Sequence, residues 1–180
     1  MGQSYAGFQG KKLILKQRGA VAIETVFLLP IVIILLFAIV HYSMIFFATT
    51  LFDYAAKESI RSAMSQVDEN CYFNVDGCSD SDTLTLVSPV ILDSATQVIQ
   101  GVTHGSGNSL GVLFGVTLPA RNELISVSAI DGGGCCEVSI TLDNYRNTPF
   151  LPLNVIDGLL PGDTSVFPDA ITATAVLKLN

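Results

Sequence analysis

The sequence predicts an α+β protein: a long N-terminal transmembrane helix that continues into an exported domain with an antiparallel sheet. Three observations carry this reading. Between Glu24 and Asp53 there is no Asp, Glu, Lys or Arg, a run of 28 residues (25–52). Basic residues precede that run and acidic ones follow it. Further on, three segments alternate apolar and polar residues.

The apolar run comes first. Mean hydropathy is +0.52 with only 14% charged residues, and the apolar excess is concentrated in this stretch. As a helix rising about 1.5 Å per residue it covers roughly 42 Å, more than the roughly 30 Å hydrocarbon core of a bilayer. The span is placed at about residues 25–50. Pro30 lies inside it, removing one backbone donor and offering a kink.

Flanking charge sets the orientation. Lys11, Lys12, Lys16 and Arg18 precede the span, and residues 1–18 contain no acid. From Asp53 onward 5 basic residues face 15 acidic ones, a net charge of −10. The positive-inside rule holds the N-terminus in the cytoplasm and exports the rest. Nucleic acid is excluded as a partner, because its phosphates demand Lys and Arg.

The four cysteines (Cys71, Cys78, Cys135, Cys136) all fall on the exported side, an even number where oxidation is permitted. A bond between adjacent Cys135 and Cys136 closes a strained ring. The favoured pairing is therefore two links between the 71/78 region and the 135/136 pair. Each link closes a loop of roughly 60 residues, a constraint of about 4 kcal/mol on the unfolded chain. Zinc is the weaker reading, since neither pair has CxxC spacing, and no metal site is expected.

The N-terminus differs from a secretory signal peptide, whose apolar core runs to only about 7–15 residues before a small-x-small cleavage site. Here the run is about twice as long, and "FFATTLFDYAAKES" places bulky residues where small ones are needed. The junction Gly19-Ala20-Val21-Ala22-Ile23-Glu24 instead resembles the type IV prepilin signal. In that signal a membrane aspartyl peptidase cuts after Gly, so Ala20 becomes residue +1 and Glu24 residue +5. Leaving a carboxylate alone in an apolar setting costs several kcal/mol, so it is paired or neutralised. An N-terminal ammonium is the natural partner for Glu24 once subunits pack side by side.

A longer stretch extends the resemblance. "RGAVAIETVFLLPIVIILLFAIVHYSMIFF" followed by "YAAKESIRSA" is similar to the TadE/TadF-like minor pseudopilins of the tight-adherence (Tad) pilus system. The shared features are the Gly-Ala-x-Ala-x-Glu junction, Leu29-Pro30, the aromatic second half of the run and an Ala-rich helical exit. They cover residues 18 to about 64. "CCEVSITLDNY", "TPFLPLNVIDGLLP" and "ITATAVLKLN" add a looser likeness. Thr25 departs from the aromatic that usually follows the Glu in the major pilin, which points to a minor subunit.

The resemblance implies a leader over residues 1–19, a helix over 20–67, and a periplasmic α+β domain of pilin-like architecture over 68–180. It implies an inner-membrane protein that helps assemble, prime or cap a pilus for surface adherence. The implied partners are a prepilin peptidase, other pilus subunits, the inner-membrane assembly platform and membrane lipid. The rival reading is an uncleaved single-pass protein whose periplasmic domain binds another envelope protein.

Beyond the membrane the helix continues to about residue 67, with Phe52, Ala56, Ile60, Ala63 and Val67 on one apolar face. Asp53/Lys57 and Glu58/Arg61 occupy neighbouring positions on its wet side. Residues 68–83 read as a solvated acidic loop, since they lack the calcium-loop pattern. Ser88-Pro89 reads as a helix start, with Ile91, Ala95, Val98 and Val102 following to an end near Gly101–Gly105. The glycine-rich "HGSGNSLG" and "DGGGCC" read as loops. Strands are expected at Ile125/Val127/Ala129, Val138/Ile140/Leu142 and Ile171/Ala173/Ala175/Leu177/Leu179. Residues 148–168, rich in proline, read as a structured loop.

No catalytic residue and no cofactor is expected. His41 falls inside the apolar run, where it reads as an interfacial or bundle-facing side chain, and His104 lies in a glycine loop.

Overall fold

The structure, a computed structural model, describes residues 18–67, 80–130, 135–151 and 167–177, with side chains from residue 23 in the first helix and residue 83 in the second. The chain divides into two units, residues 1–39 and 40–180.

One helix, α1 (Arg18–Met64), supplies everything described in the first unit. Its residues 23–37 are all exposed, including Phe27, Leu28, Ile31, Val32 and Leu35. A helix stretch that is apolar all round and exposed among the described residues suits hydrocarbon rather than water. From Ile23 on, the helix is long and apolar enough to cross a membrane. Pro30 is accommodated without ending it.

The second unit is an α+β fold. It contains α1 from residue 40, α2 (Asp80–Thr103), a two-stranded ribbon of β1 (Val112–Leu113) and β2 (Val116–Thr117), and a single turn α3 (Arg121–Leu124). The main sheet follows: β3 (Ile125–Ser128), β4 (Cys136–Leu142) and β5 (Ile171–Leu177). Its order is β3-β4-β5, antiparallel throughout, with Val127 opposite Val138 and Val138 opposite Ala175.

Periodicity explains the core. On β4 Cys136, Val138, Ile140 and Leu142 are buried, and on β5 Ile171, Ala173, Ala175 and Leu177. The two-residue period of a strand sends each set to one side of the sheet. Phe52, Ala56, Ile60 and Ala63 of α1 join them in one apolar cluster, and Val67 is half-buried at its edge. The wet side behaves as expected, with Lys57 Nζ 2.7 Å from Asp53 and Arg61 3.6 Å from Glu58. The first helix and the three main strands expected from sequence are present, the helix ending at Met64 with a turn leading to Val67, while Ala129 lies exposed beyond β3 and Leu179 lies outside the described residues.

The second helix differs from the expectation. It begins at Asp80 rather than Ser88, so Asp80–Thr83 are helical instead of loop, and Pro89 sits inside. The reason is a buried stripe at steps of four: Thr83, Val87, Ile91, Ala95, Ile99 and Thr103. Burying Val87 upstream of the proline outweighs one lost backbone hydrogen bond, and the exposed Pro89 ring stays out of the core. Residues 68–79 of the expected loop lie outside the described residues.

Local polar groups close α2. The His104 N–H donates to the Gln100 carbonyl at 2.9 Å, and His104 takes a left-handed φ of 56° that stops the helix. The Gln100 amide donates to the Gly107 and Ser109 carbonyls at 2.9 and 2.8 Å. The buried Thr103 hydroxyl reaches the carbonyls of Ile99 and Leu110. Gly111 has φ +81°, and a Cβ there would lie 2.5 Å from the Thr103 carbonyl oxygen. Gly105 and Gly111 are required by the close return of the chain over α2. Arg121 then ties α3 to α2 through Asp93 at 2.7 Å.

Candidate functional site

The junction residues Gly19 and Ala20 lie in the first turn of α1, which starts at Arg18. Lys11, Lys12 and Lys16 lie outside the described residues. Glu24 is exposed on α1, its neighbours Ile23, Val26 and Phe27 exposed with it. Among the described residues no ion pair reaches this carboxylate. In α1 Glu24 stands four residues after Ala20, the spacing at which two helical positions share a face. Any ammonium generated at Ala20 would therefore be its neighbour.

A second cluster was not legible in the sequence. His41, read there as a residue of the membrane span, is 1% exposed and packed inside the second unit. Its ring meets Phe167 edge-on at 4.6 Å and Tyr145 at 6.1 Å between centroids. Ala48, Leu51 and Phe52, further along the same apolar run, are also buried there. Hydropathy alone does not separate a lipid-facing helix from a core-facing one, so the run read as one span serves both uses.

Hydrogen bonds order the cluster. The Phe150 N–H donates to the Tyr145 hydroxyl oxygen at 3.3 Å, and that hydroxyl lies 3.4 Å from His41 Nε2. The hydroxyl and Nε2 share one proton in this contact, and the imidazole tautomer sets which of them donates. Nδ1 is buried and has no hydrogen-bond partner among the described residues. Burial pushes the Tyr145 phenol above its ordinary pKa, while the Phe150 N–H pulls it the other way. Phe150 in turn packs edge-on against Tyr145 at 5.0 Å and Phe114 at 5.2 Å. Among the described residues the cluster has no exposed nucleophile or acid. It joins α1, the β1–β2 ribbon and the segment after β4.

The cysteines correct an expectation. Cys135 is bonded to Cys136, both fully buried, in place of the expected links from this pair to the 71/78 region. Both residues are buried where β4 begins. Cys71 and Cys78 lie outside the described residues. Among the described residues no group of three or more His, Cys, Asp or Glu is gathered for a metal ion.

Comparison with known proteins completes the picture. No curated protein and no solved structure matches the chain. Residues 19–61 match the model of the family described as TadE-like protein. That match opens on Gly19, takes in Glu24 and the exposed apolar helix, and runs on into the part of α1 that forms the core of the second unit. Over this N-terminal stretch the chain is similar to TadE-like proteins.

Proposed function

We propose that the chain is a minor pseudopilin that helps assemble, prime or cap a Tad-type pilus, after removal of residues 1–19 by a prepilin peptidase. The observation that carries the reading is the TadE-like match beginning on Gly19, in the first turn of a helix whose only acidic residue before Asp53 is Glu24. The role is structural. The leader stays in the cytoplasm, α1 anchors the subunit in the inner membrane, and the α+β unit stands in the periplasm.

Glu24 is the assembly residue in this scheme. Cleavage creates an ammonium at Ala20, one helical turn from the carboxylate and at the positive end of the helix dipole. In a bilayer the pair sits near the headgroups. When subunits pack against one another, Glu24 of one subunit neutralises the ammonium of its neighbour and fixes their axial register. A partner-free carboxylate in that setting is costly, so only one alignment is allowed.

The test is the N-terminus of protein recovered from membranes, read by intact mass. A start at Ala20, abolished by Gly19→Leu, is the expected result. Glu24→Ala should still be cut but leave cells without pili. A start at Met1, with Gly19→Leu harmless, would favour the uncleaved anchored binder, and normal piliation with Glu24→Ala would remove the role given to the carboxylate.

A further inference from the structure

The second unit exposes large apolar side chains at one level of α1. Tyr42, Phe46 and Phe47 are exposed, Phe46 at 74%. The ring of Phe114 meets Phe47 edge-on at 5.5 Å and is itself 38% exposed. Phe114 and Gly115 form the two-residue turn between β1 and β2, with φ of 50° and 86°. A turn with both central residues at positive φ is ordinarily Asn-Gly or Asp-Gly, and a bulky aromatic is disfavoured there. A phenylalanine at that position, part of its ring exposed, points to an apolar surrounding beyond what the described residues supply.

Chain length says what that surrounding is. An apolar helix crosses the hydrocarbon in about 20 residues. Entering at Glu24, it reaches the far boundary near Met44, between Tyr42 and Phe46. The next charged residue is Asp53. Aromatic side chains are enriched at this boundary, where a flat apolar ring fits among headgroups and upper acyl chains.

We propose that Tyr42, Phe46, Phe47 and the Phe114–Gly115 turn form a lipid-seated rim, inserted at the headgroup–acyl boundary of the outer leaflet. The rim holds the folded unit against the bilayer by a second attachment besides α1, and departure of the subunit from the membrane requires its withdrawal. The inference rests on the reading of α1 as a membrane anchor.

The chain has no tryptophan, so single substitutions report cleanly. Full-length Phe114→Trp is reconstituted in vesicles of phosphatidylethanolamine and phosphatidylglycerol, with bromine placed either high or midway along the acyl chains. The expected result is a blue-shifted emission that loses most of its intensity to the high bromines and less to the deep ones. Phe46→Trp, on an exposed helix face that tolerates an indole, should behave alike even if the turn is disturbed. Val176→Trp, on the exposed side of β5, should be unaffected by either lipid. Leu35→Trp separates the two readings, because a membrane anchor puts it next to the deep bromines. If Leu35→Trp is quenched while Phe114→Trp and Phe46→Trp are not, the rim is overturned and the anchor stands. If Leu35→Trp is also unquenched, the anchor reading fails and the rim with it. Blue-shifted but unquenched emission at positions 114 and 46 overturns the lipid occupant in favour of a protein surface.

Discussion

His41 Nε2 and the Tyr145 hydroxyl oxygen stand 3.4 Å apart, although 104 residues separate them in the chain. This buried bond fastens α1 to the segment that follows β4, and the same hydroxyl accepts the Phe150 N–H at 3.3 Å. One phenol oxygen thus serves groups from two parts of the fold. Replacing it by Tyr145→Phe keeps the ring and strands both partners, at a cost of about 1–3 kcal/mol, because a buried polar group left unpaired forfeits its hydration. Urea unfolding in detergent micelles measures the loss. Adding His41→Leu to Tyr145→Phe should cost less than the two single changes summed, and strict additivity would show that the pair does not interact.

Tyr145 also sets a dependence on alkaline pH. Burial raises its phenol above the ordinary value of 10.0. The folded state therefore favours the protonated phenol, and the associated stability is complete below pH about 10 and lost as pH rises through the folded value. Melting temperature should fall more steeply between pH 9 and 11 for the native protein than for Tyr145→Phe. Parallel curves would mean that other groups govern the alkaline limit.

Two glycines should respond in opposite senses to alanine. Gly101 is exposed in α2 with nothing within 4 Å of a built Cβ, so Gly101→Ala should stabilise by about 0.5–1 kcal/mol through reduced chain entropy. At Gly111 the φ of +81° and a 2.5 Å approach to the Thr103 carbonyl leave no room. Gly111→Ala should cost about 2 kcal/mol or more. Thermal melts followed by circular dichroism rank the two variants, and equal effects would contradict the placement of this loop over α2.

The sheet makes a sharper contrast still. Ile140 is fully buried in the central strand, opposite Ile125 on one side and Ala173 on the other. Ile140→Ala should cost about 2–5 kcal/mol from lost burial and the cavity left behind. The exposed Thr172→Ala on β5 should stay within about 0.5 kcal/mol. A harmless Ile140→Ala would place that side of the sheet against solvent.

Which elements were readable follows from the range of the forces that make them. The alternation at Val138/Ile140/Leu142 and Ile171/Ala173/Ala175/Leu177 needs only one sheet side to be dry, and each strand records that by itself. The step-of-four stripe in α1 does the same for a helix. Ser88-Pro89 misled because proline is suited to a helix start, yet burial of Val87 and Ile91 on one stripe carried the helix straight through. The β1–β2 ribbon gave no warning, since a Phe-Gly turn lacks the residues that usually announce a tight hairpin.

The sequence by itself determined the apolar helix, the charge asymmetry around it, the Gly19–Ala20 and Glu24 arrangement and the three strands of the main sheet. These are matters of composition and short-range period, decided within a few residues. Tertiary structure alone decided that the latter part of the apolar run is core, that His41 meets Tyr145, and that Phe47, Phe114 and Phe150 form one edge-on series. Those outcomes depend on which apolar surfaces find each other across distant parts of the chain. A hydropathy pattern states that a face must leave water, whereas only the packed fold states whether lipid or protein receives it.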